Sequence, residues 1–404
     1  MVFFLKIGFR NLWRNKRRTI LASLAMGVGL AALILADGFW QGMINNMVET
    51  LTEGMLGQAQ VHNEHFLKSL EIENVIKNKA VVLQKIENSH KTKVFTQRVI
   101  SMAMISSAEE ASNVLLYGVD IESEKALTVI EKRIVEGQIN TLDGIAIGTK
   151  LKKRLGVQIG DRIVITMAEK TTGELAQGLF RLQAVFSYGS NEIDEGFVFV
   201  DRQKAAKLLK MPDEIHEIAL KFKDNISEEE RSTFLSSLKG DENIAESWKE
   251  LAPGISSAIR MSDISTAIIS TILIILVSFG IVNTLFMSLY ERLFEFGVLR
   301  ALGTRGADLL LQVVFEAGWL AFFSILWGII LATIIGGIWA VYGLDYSGVE
   351  FAEITFNKHI YFVFALGQFI IYPSLIFLVT IIVSLYPGTH AARMTLSEAM
   401  RRSL

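Results

Sequence analysis

Apolar positions along the chain gather into four windows without a charged side chain: Thr19–Ala36 (18 residues), Ile264–Tyr290 (27), Ala317–Leu344 (28) and Ile360–Thr389 (30). At about 1.5 Å rise per residue, each window wound as a helix reaches across a hydrocarbon core roughly 30 Å thick, the first only just. Four transmembrane helices are therefore predicted. Residues 37–263, which separate the first two windows, have ordinary soluble composition and the size of a domain. Strands are predicted there over Arg162–Met167, Phe180–Phe186 and Gly196–Val200. Asp201 caps a helix over Lys204–Lys210, and Ser227 with Glu230 makes a capping box for the next. The fold class that follows is a membrane α-helical protein of four transmembrane helices, with an α+β domain inserted between helices 1 and 2.

Helical spacing extends beyond the windows. Trp40, Ile44, Met47, Leu51 and Met55 recur at intervals of three or four and prolong the first span as a stalk. Trp248, Leu251, Ile255 and Ile259 repeat the spacing before the second window, but Pro253-Gly254 interrupts them, so that helix is expected to start near Pro253. At the N-terminus Lys6, Arg10, Arg14 and Arg17 share one helical face and Val2, Leu5, Phe9, Leu12 and Trp13 another, the pattern of a membrane-surface helix rather than a cleaved leader. The expected segments are a basic amphipathic helix (1–18), span one with its stalk (19–57), the core domain (58–247), a stalk with span two (248–290), a charged amphipathic segment (291–316), span three (317–344), a loop (345–359), span four (360–389) and a tail (390–404).

Charge orients this layout. Lys6, Arg10, Arg14, Lys16, Arg17 and Arg18 precede the first window with no acid among them, which places the N-terminus in the cytoplasm. Residues 37–263 carry 27 basic against 34 acidic residues and fall outside. The tail, with Arg393, Arg401 and Arg402, falls inside. Absence of cysteine from the 404 residues removes disulfides, thiolate zinc sites, iron–sulfur ligation and S-lipidation, and a net charge of −2 gives no reason to expect nucleic acid.

Catalytic chemistry is hard to find. His62 and His65 lie three residues apart, close enough for one helical turn to aim both at a metal, but zincin spacing and a third ligand are missing, so no metal is expected. No Gly-Lys dipeptide exists, so a Walker A loop is absent. Glu192 and Asp194, beside Gly189 and Gly196, read as loop-shaping residues. The windows hold no acid or base for an ion path. Asn283 is expected to bond between helices. Ser324, Gly328, Ala332, Gly336 and Ala340 recur at every fourth position of span three and predict a close helix contact, within the chain or across a dimer. After span two, Tyr290–Thr304 reads as a charged amphipathic helix with Glu291 and Glu295 on one face and Gly303 as its C-cap.

That last stretch, Glu291-Arg-Leu-Phe-Glu-Phe-Gly-Val-Leu-Arg-Ala-Leu-Gly303, resembles the "ER..E.G.LRALG" segment of FtsX-like/MacB-like ABC transporter permeases, in particular the lipoprotein-releasing (Lol-type) members. Further matches run in order along the chain: Asn11–Thr19, Gly118-Val-Asp120, Glu136-Gly137, Gly144–Gly148, Leu155–Asp161, Val185-Phe186 with Gly189, Glu192 and Asp194, then Trp248, Tyr386-Pro387, Ala391-Ala-Arg393 and Glu398-Ala399. Gly388-Thr389-His390 and Thr395-Leu396 depart from the family's closing motif.

The resemblance implies a multi-pass bacterial inner-membrane permease subunit with both termini cytoplasmic and a periplasmic core domain. It implies no catalysis and no cofactor on this chain, with ATP and Mg on a separate cytoplasmic ABC ATPase dimer. A second permease subunit, identical or a close paralogue, membrane lipid, a lipoprotein substrate and a periplasmic carrier are the other implied partners. Glu291, Arg292, Glu295, Gly297, Arg300 and Gly303 are the residues it assigns to ATPase coupling. The expected function is ATP-driven release of lipoproteins from the inner membrane to a carrier. MacB-like efflux of a peptide, toxin or drug, and FtsX-like signalling to a cell-wall hydrolase, are the alternatives.

Overall fold

The computed structural model describes residues 2–189, 191–346, 350–351, 354–355 and 359–393. Four of its helices are long and apolar enough to cross a membrane: Lys16–Leu56, Pro253–Glu291, Gly306–Tyr342 and Leu366–Arg393. These are called spans one to four below.

In the membrane unit an N-terminal helix, Val2–Arg14, turns at Asn15 into span one. The hydroxyl of Thr19 donates to the Leu12 carbonyl at 2.7 Å and fixes the joint. The apolar face of this helix meets span three, where Phe9 packs edge-on against Trp319, 5.2 Å between ring centres, and Trp13 lies 6.0 Å from Phe323. Span two begins at Pro253. The stretch after it is not one helix: Leu293–Ala301 is a separate nine-residue helix, and span three starts at Gly306, well ahead of the charge-free window. A window ends at a charge, whereas a helix ends where its backbone bonds end, and Glu316 sits inside span three. Span four runs from Leu366 to Arg393 through Pro373 and Pro387, while Ile360, inside the expected span, pairs with Leu344 as a short strand. Thr395, Leu396, Glu398, Ala399, Arg401 and Arg402 lie outside the described residues.

The core unit is built on a ten-stranded sheet: β1 (Ala59–Asn63), β2 (Thr92–Ser106), β3 (Ala111–Val119), β4 (Ile134–Gly137), β5 (Ile145–Gly148), β6 (Arg162–Ala168), β7 (Leu175–Phe186), β8 (Phe197–Asp201), β9 (Glu217–Phe222) and β10 (Asn243–Ser247). The order is β10-β1-β9-β2-β3-β8-β5-β7-β4, with β6 against β2 and β7. The β3–β8 and β5–β7 pairs are parallel and the others antiparallel. Because side chains alternate across a strand, neighbours divide between two cores. Ile145, Ile147, Val198, Val200 and Val185 pack on one face with helices Lys79–Asn88, Thr149–Leu155, Arg202–Leu208 and Glu228–Leu238. Ala146, Phe199, Ala184 and Phe186 pack on the other with Met55, Ile130 and Tyr188.

Several sequence motifs serve this packing. Asp201 caps its helix through the Lys204 amide at 3.0 Å, and the Ser227–Glu230 capping box forms in full. Asp120 caps Ile121–Leu127. Asp194 lies in the short helix Asn191–Gly196 and accepts from the Tyr188 amide at 2.7 Å, the Gly189 amide and the Ser187 hydroxyl, so its carboxylate shapes the loop. His62 does not share a helical turn with His65: it stands in β1, where the backbone is extended. Asn283 is exposed on span two rather than set between helices of this chain.

Candidate coupling site

The segment after span two is closed by a Schellman motif. Gly303, at φ +93°, donates to the Arg300 carbonyl, and Thr304 donates to that of Leu299, both at 3.0 Å. Glycine reaches this left-handed region without a Cβ penalty.

The charged residues of the segment point to different places. Arg292 is buried: its Nη1 donates to Glu316 Oε2 of span three at 2.9 Å, its Nε to Glu295 Oε2 at 3.1 Å, and its guanidinium lies 5.1 Å from the Phe296 ring centre. Glu316 is itself 4% exposed and also accepts from the Ser288 hydroxyl at 2.8 Å. Glu295 takes a second bond from Arg14 Nη1 at 2.6 Å. Partial burial opposes ionisation of Glu295, but the bonds from Arg14 and Arg292 outweigh it and hold the carboxyl below its usual range. Glu291 accepts from Asn15 Nδ2 at 3.0 Å and pairs with Arg18. Gly297 is buried, while Arg300 and Gly303 are exposed. Phe294, Val298 and Leu302 complete the exposed side of this short helix, at 53%, 43% and 78%.

The small-residue stripe of span three lies against span one. Ser324, Gly328, Ala332 and Gly336 are buried and Ala340 is partly so. A Cβ on Gly328 would fall 2.8 Å from Leu30 Cβ and 2.9 Å from the Gly27 carbonyl oxygen, and one on Gly336 would meet the Phe362 ring at 3.0 Å. The contact is thus made within one chain.

Two family models match the sequence: the MacB-like periplasmic core domain over residues 19–232 and the FtsX-like permease C-terminal region over residues 267–396. The chain belongs to the FtsX-like/MacB-like permease family. It is similar to the lipoprotein-releasing system transmembrane protein LolC of Xylella fastidiosa, at 22% identity over 75% of this chain and 76% of that one. LolC of Neisseria meningitidis is 21% identical over 98% of each chain. Among solved structures, the periplasmic region of MacB from Actinobacillus actinomycetemcomitans superposes with a TM-score of 0.36 and 11% identity, covering 49% of this chain and 92% of that one.

As a permease of this family the chain is a membrane protein, and its relatives are transmembrane subunits of ABC transporters. Sequence reasoning picked out Glu291, Arg292 and Glu295 in this permease but missed Arg14, Arg18 and Glu316, their partners. The six basic residues ahead of the first charge-free window were visible, yet nothing local links Arg14 to a residue 281 positions away. A buried cluster in the core domain was also missed: Arg98 gives Nε and Nη2 to Glu124 at 3.0 and 2.6 Å, and Nη1 to Glu217 at 2.6 Å. Burial raises the Glu217 carboxyl against the opposing pull of Arg98. On the same domain Met102, Met104, Leu175 and Leu179 are exposed, and the β2–β6–β7 register sets them on one face of the sheet.

Proposed function

We propose that this permease is the membrane subunit of a lipoprotein-releasing ABC transporter of the bacterial inner membrane. ATP, with Mg, is hydrolysed on a separate cytoplasmic ATPase dimer, and the work passes through this chain and a second permease subunit to the periplasmic domain inserted between spans one and two. There a lipoprotein drawn from the membrane is handed to a periplasmic carrier. Both termini are cytoplasmic in this reading, which the basic lead-in to the first charge-free window supports. The observation that carries it is similarity to a LolC protein along 98% of both chains.

The helix Leu293–Ala301 meets the ATPase in this reading, and its exposed Phe294, Val298, Arg300 and Leu302 offer the surface. The apolar face carrying Met102, Met104, Leu175 and Leu179 is assigned to the external partner, since exposed patches of that kind mark interaction sites. Depletion of the protein is expected to leave outer-membrane lipoproteins in the inner membrane, read by fractionation and immunoblotting. Normal lipoprotein sorting, with the ATPase still co-purifying, would reject lipoprotein release and favour efflux of the MacB-like kind.

A further inference from the structure

The carboxylates Glu291 and Glu295 are engaged inside the chain. Together with Glu316 they face three cations, Arg14, Arg18 and Arg292, and the pairs Arg14–Glu295, Arg18–Glu291 and Arg292–Glu316 leave no surplus charge in the cluster. The geometry follows from the joint at Asn15. Arg14 ends the N-terminal helix, Arg18 lies in the first turn of span one, and the Thr19–Leu12 bond sets the bend between them. Glu291 ends span two and Glu295 lies in the first turn of the short helix beyond it. Gly8 allows close approach on the far side, where a Cβ would sit 3.2 Å from the Glu316 backbone nitrogen. Five helices therefore meet at one charge-balanced knot.

We infer that Arg14 and Arg18 are positioning residues that latch the N-terminal helix onto the coupling segment, so that Glu291 and Glu295 serve as their acceptors and not as contacts to the ATPase. This rests on the proposed coupling role of Leu293–Ala301 and extends it to a segment outside that helix. With the latch closed, the short helix is tied to the N-terminal helix through Arg14 and Glu295 and to span three through Arg292 and Glu316, while Arg18 and Asn15 hold the end of span two beside the start of span one. Movement imposed on that helix then reaches spans one and three together.

The absence of native cysteine makes the test clean. In membranes, the pair Arg14→Cys/Glu295→Cys is expected to cross-link with a short bis-maleimide, and Arg14→Cys/Arg300→Cys is not. Arg14→Glu alone and Glu295→Arg alone should each lower ATP hydrolysis by the complex about two- to fivefold, the range that loss of an exposed ion pair allows, with ATPase co-purification retained. The exchange Arg14→Glu/Glu295→Arg should return hydrolysis to within about twofold, a rescue that loss of folding cannot mimic. Failure of the first pair to cross-link in folded protein, or a double exchange no better than Glu295→Arg, overturns the latch. An ATPase absent from the unmodified complex would instead reject the coupling reading, and the cross-link would still report the latch.

Discussion

His216 ties the stability of the core domain to pH. Its Nδ1 accepts the Ile100 amide at 3.0 Å, which leaves Nε2 to donate to the Ile72 carbonyl at 3.1 Å, and the ring stacks on Phe66 at 4.8 Å. Both nitrogens are committed to the neutral tautomer, and a proton on Nδ1 would confront the Ile100 N–H. Burial, with Lys170 adding to it, lowers the pKa from 6.5 to about 4 against the opposing pull of the Ile72 carbonyl and Glu214. A base depressed in the folded state contributes stability that is complete above the unfolded value of 6.5 and is lost as pH falls through about 4. At about 1.4 kcal/mol per pH unit, the loss amounts to about 3 kcal/mol, a large part of the stability of an ordinary domain. His216→Gln removes the titrating group. It should be less stable than the parent at pH 7, because ring packing is lost, but the gap should close by about 3 kcal/mol between pH 7 and pH 4. Urea titration of the detergent-solubilised chain, read by pulse proteolysis at unit pH steps, measures both curves. Carboxylates such as Glu169 and Glu230, whose hydrogen bonds hold them low, also lose stability in acid, but they do so equally in both proteins. Parallel curves would refute the reasoning.

In the membrane unit, Gly328→Ala should cost about 1–3 kcal/mol because its methyl group meets Leu30 and the Gly27 carbonyl, while Gly337→Ala, with open space at that point, should be tolerated. Thermal unfolding in detergent separates the two, and equal losses would argue against the span one–span three contact. In the core domain, Arg98→Met strands two buried carboxylates and should cost about 3–5 kcal/mol at pH 7. Glu217→Gln removes the surplus acid and should be nearly neutral there. Since the Glu217 pKa is raised, the stability it contributes is present at low pH and lost as pH rises through its folded value, so the glutamine variant should gain on the parent as pH rises. A Glu217→Gln loss as large as that of Arg98→Met would sink this account.

Local features were legible in the sequence because neighbours along the chain create them. The caps at Asp201 and Ser227, the break at Pro253 and the left-handed Gly303 each depend on residues within about one helical turn. The four apolar windows were equally plain, since lipid penalises charge wherever it lies in a span. Their ends were not, because Glu316 is neutralised by Arg292 from another helix and the window stops where the helix does not.

What the tertiary structure alone decided is which distant residues meet. The small stripe of span three announced a close contact, but only packing brought Gly27 and Leu30 of span one against it. Glu291 and Glu295 announced charge on one helical face, and folding supplied Arg14 and Arg18. Arg98 carried no signal in the sequence, and only β9 and the helix Ile121–Leu127 set two acids around it. Periodicity reports the surface that an element presents; the identity of its partner depends on chain paths hundreds of residues long, where no local rule of spacing reaches.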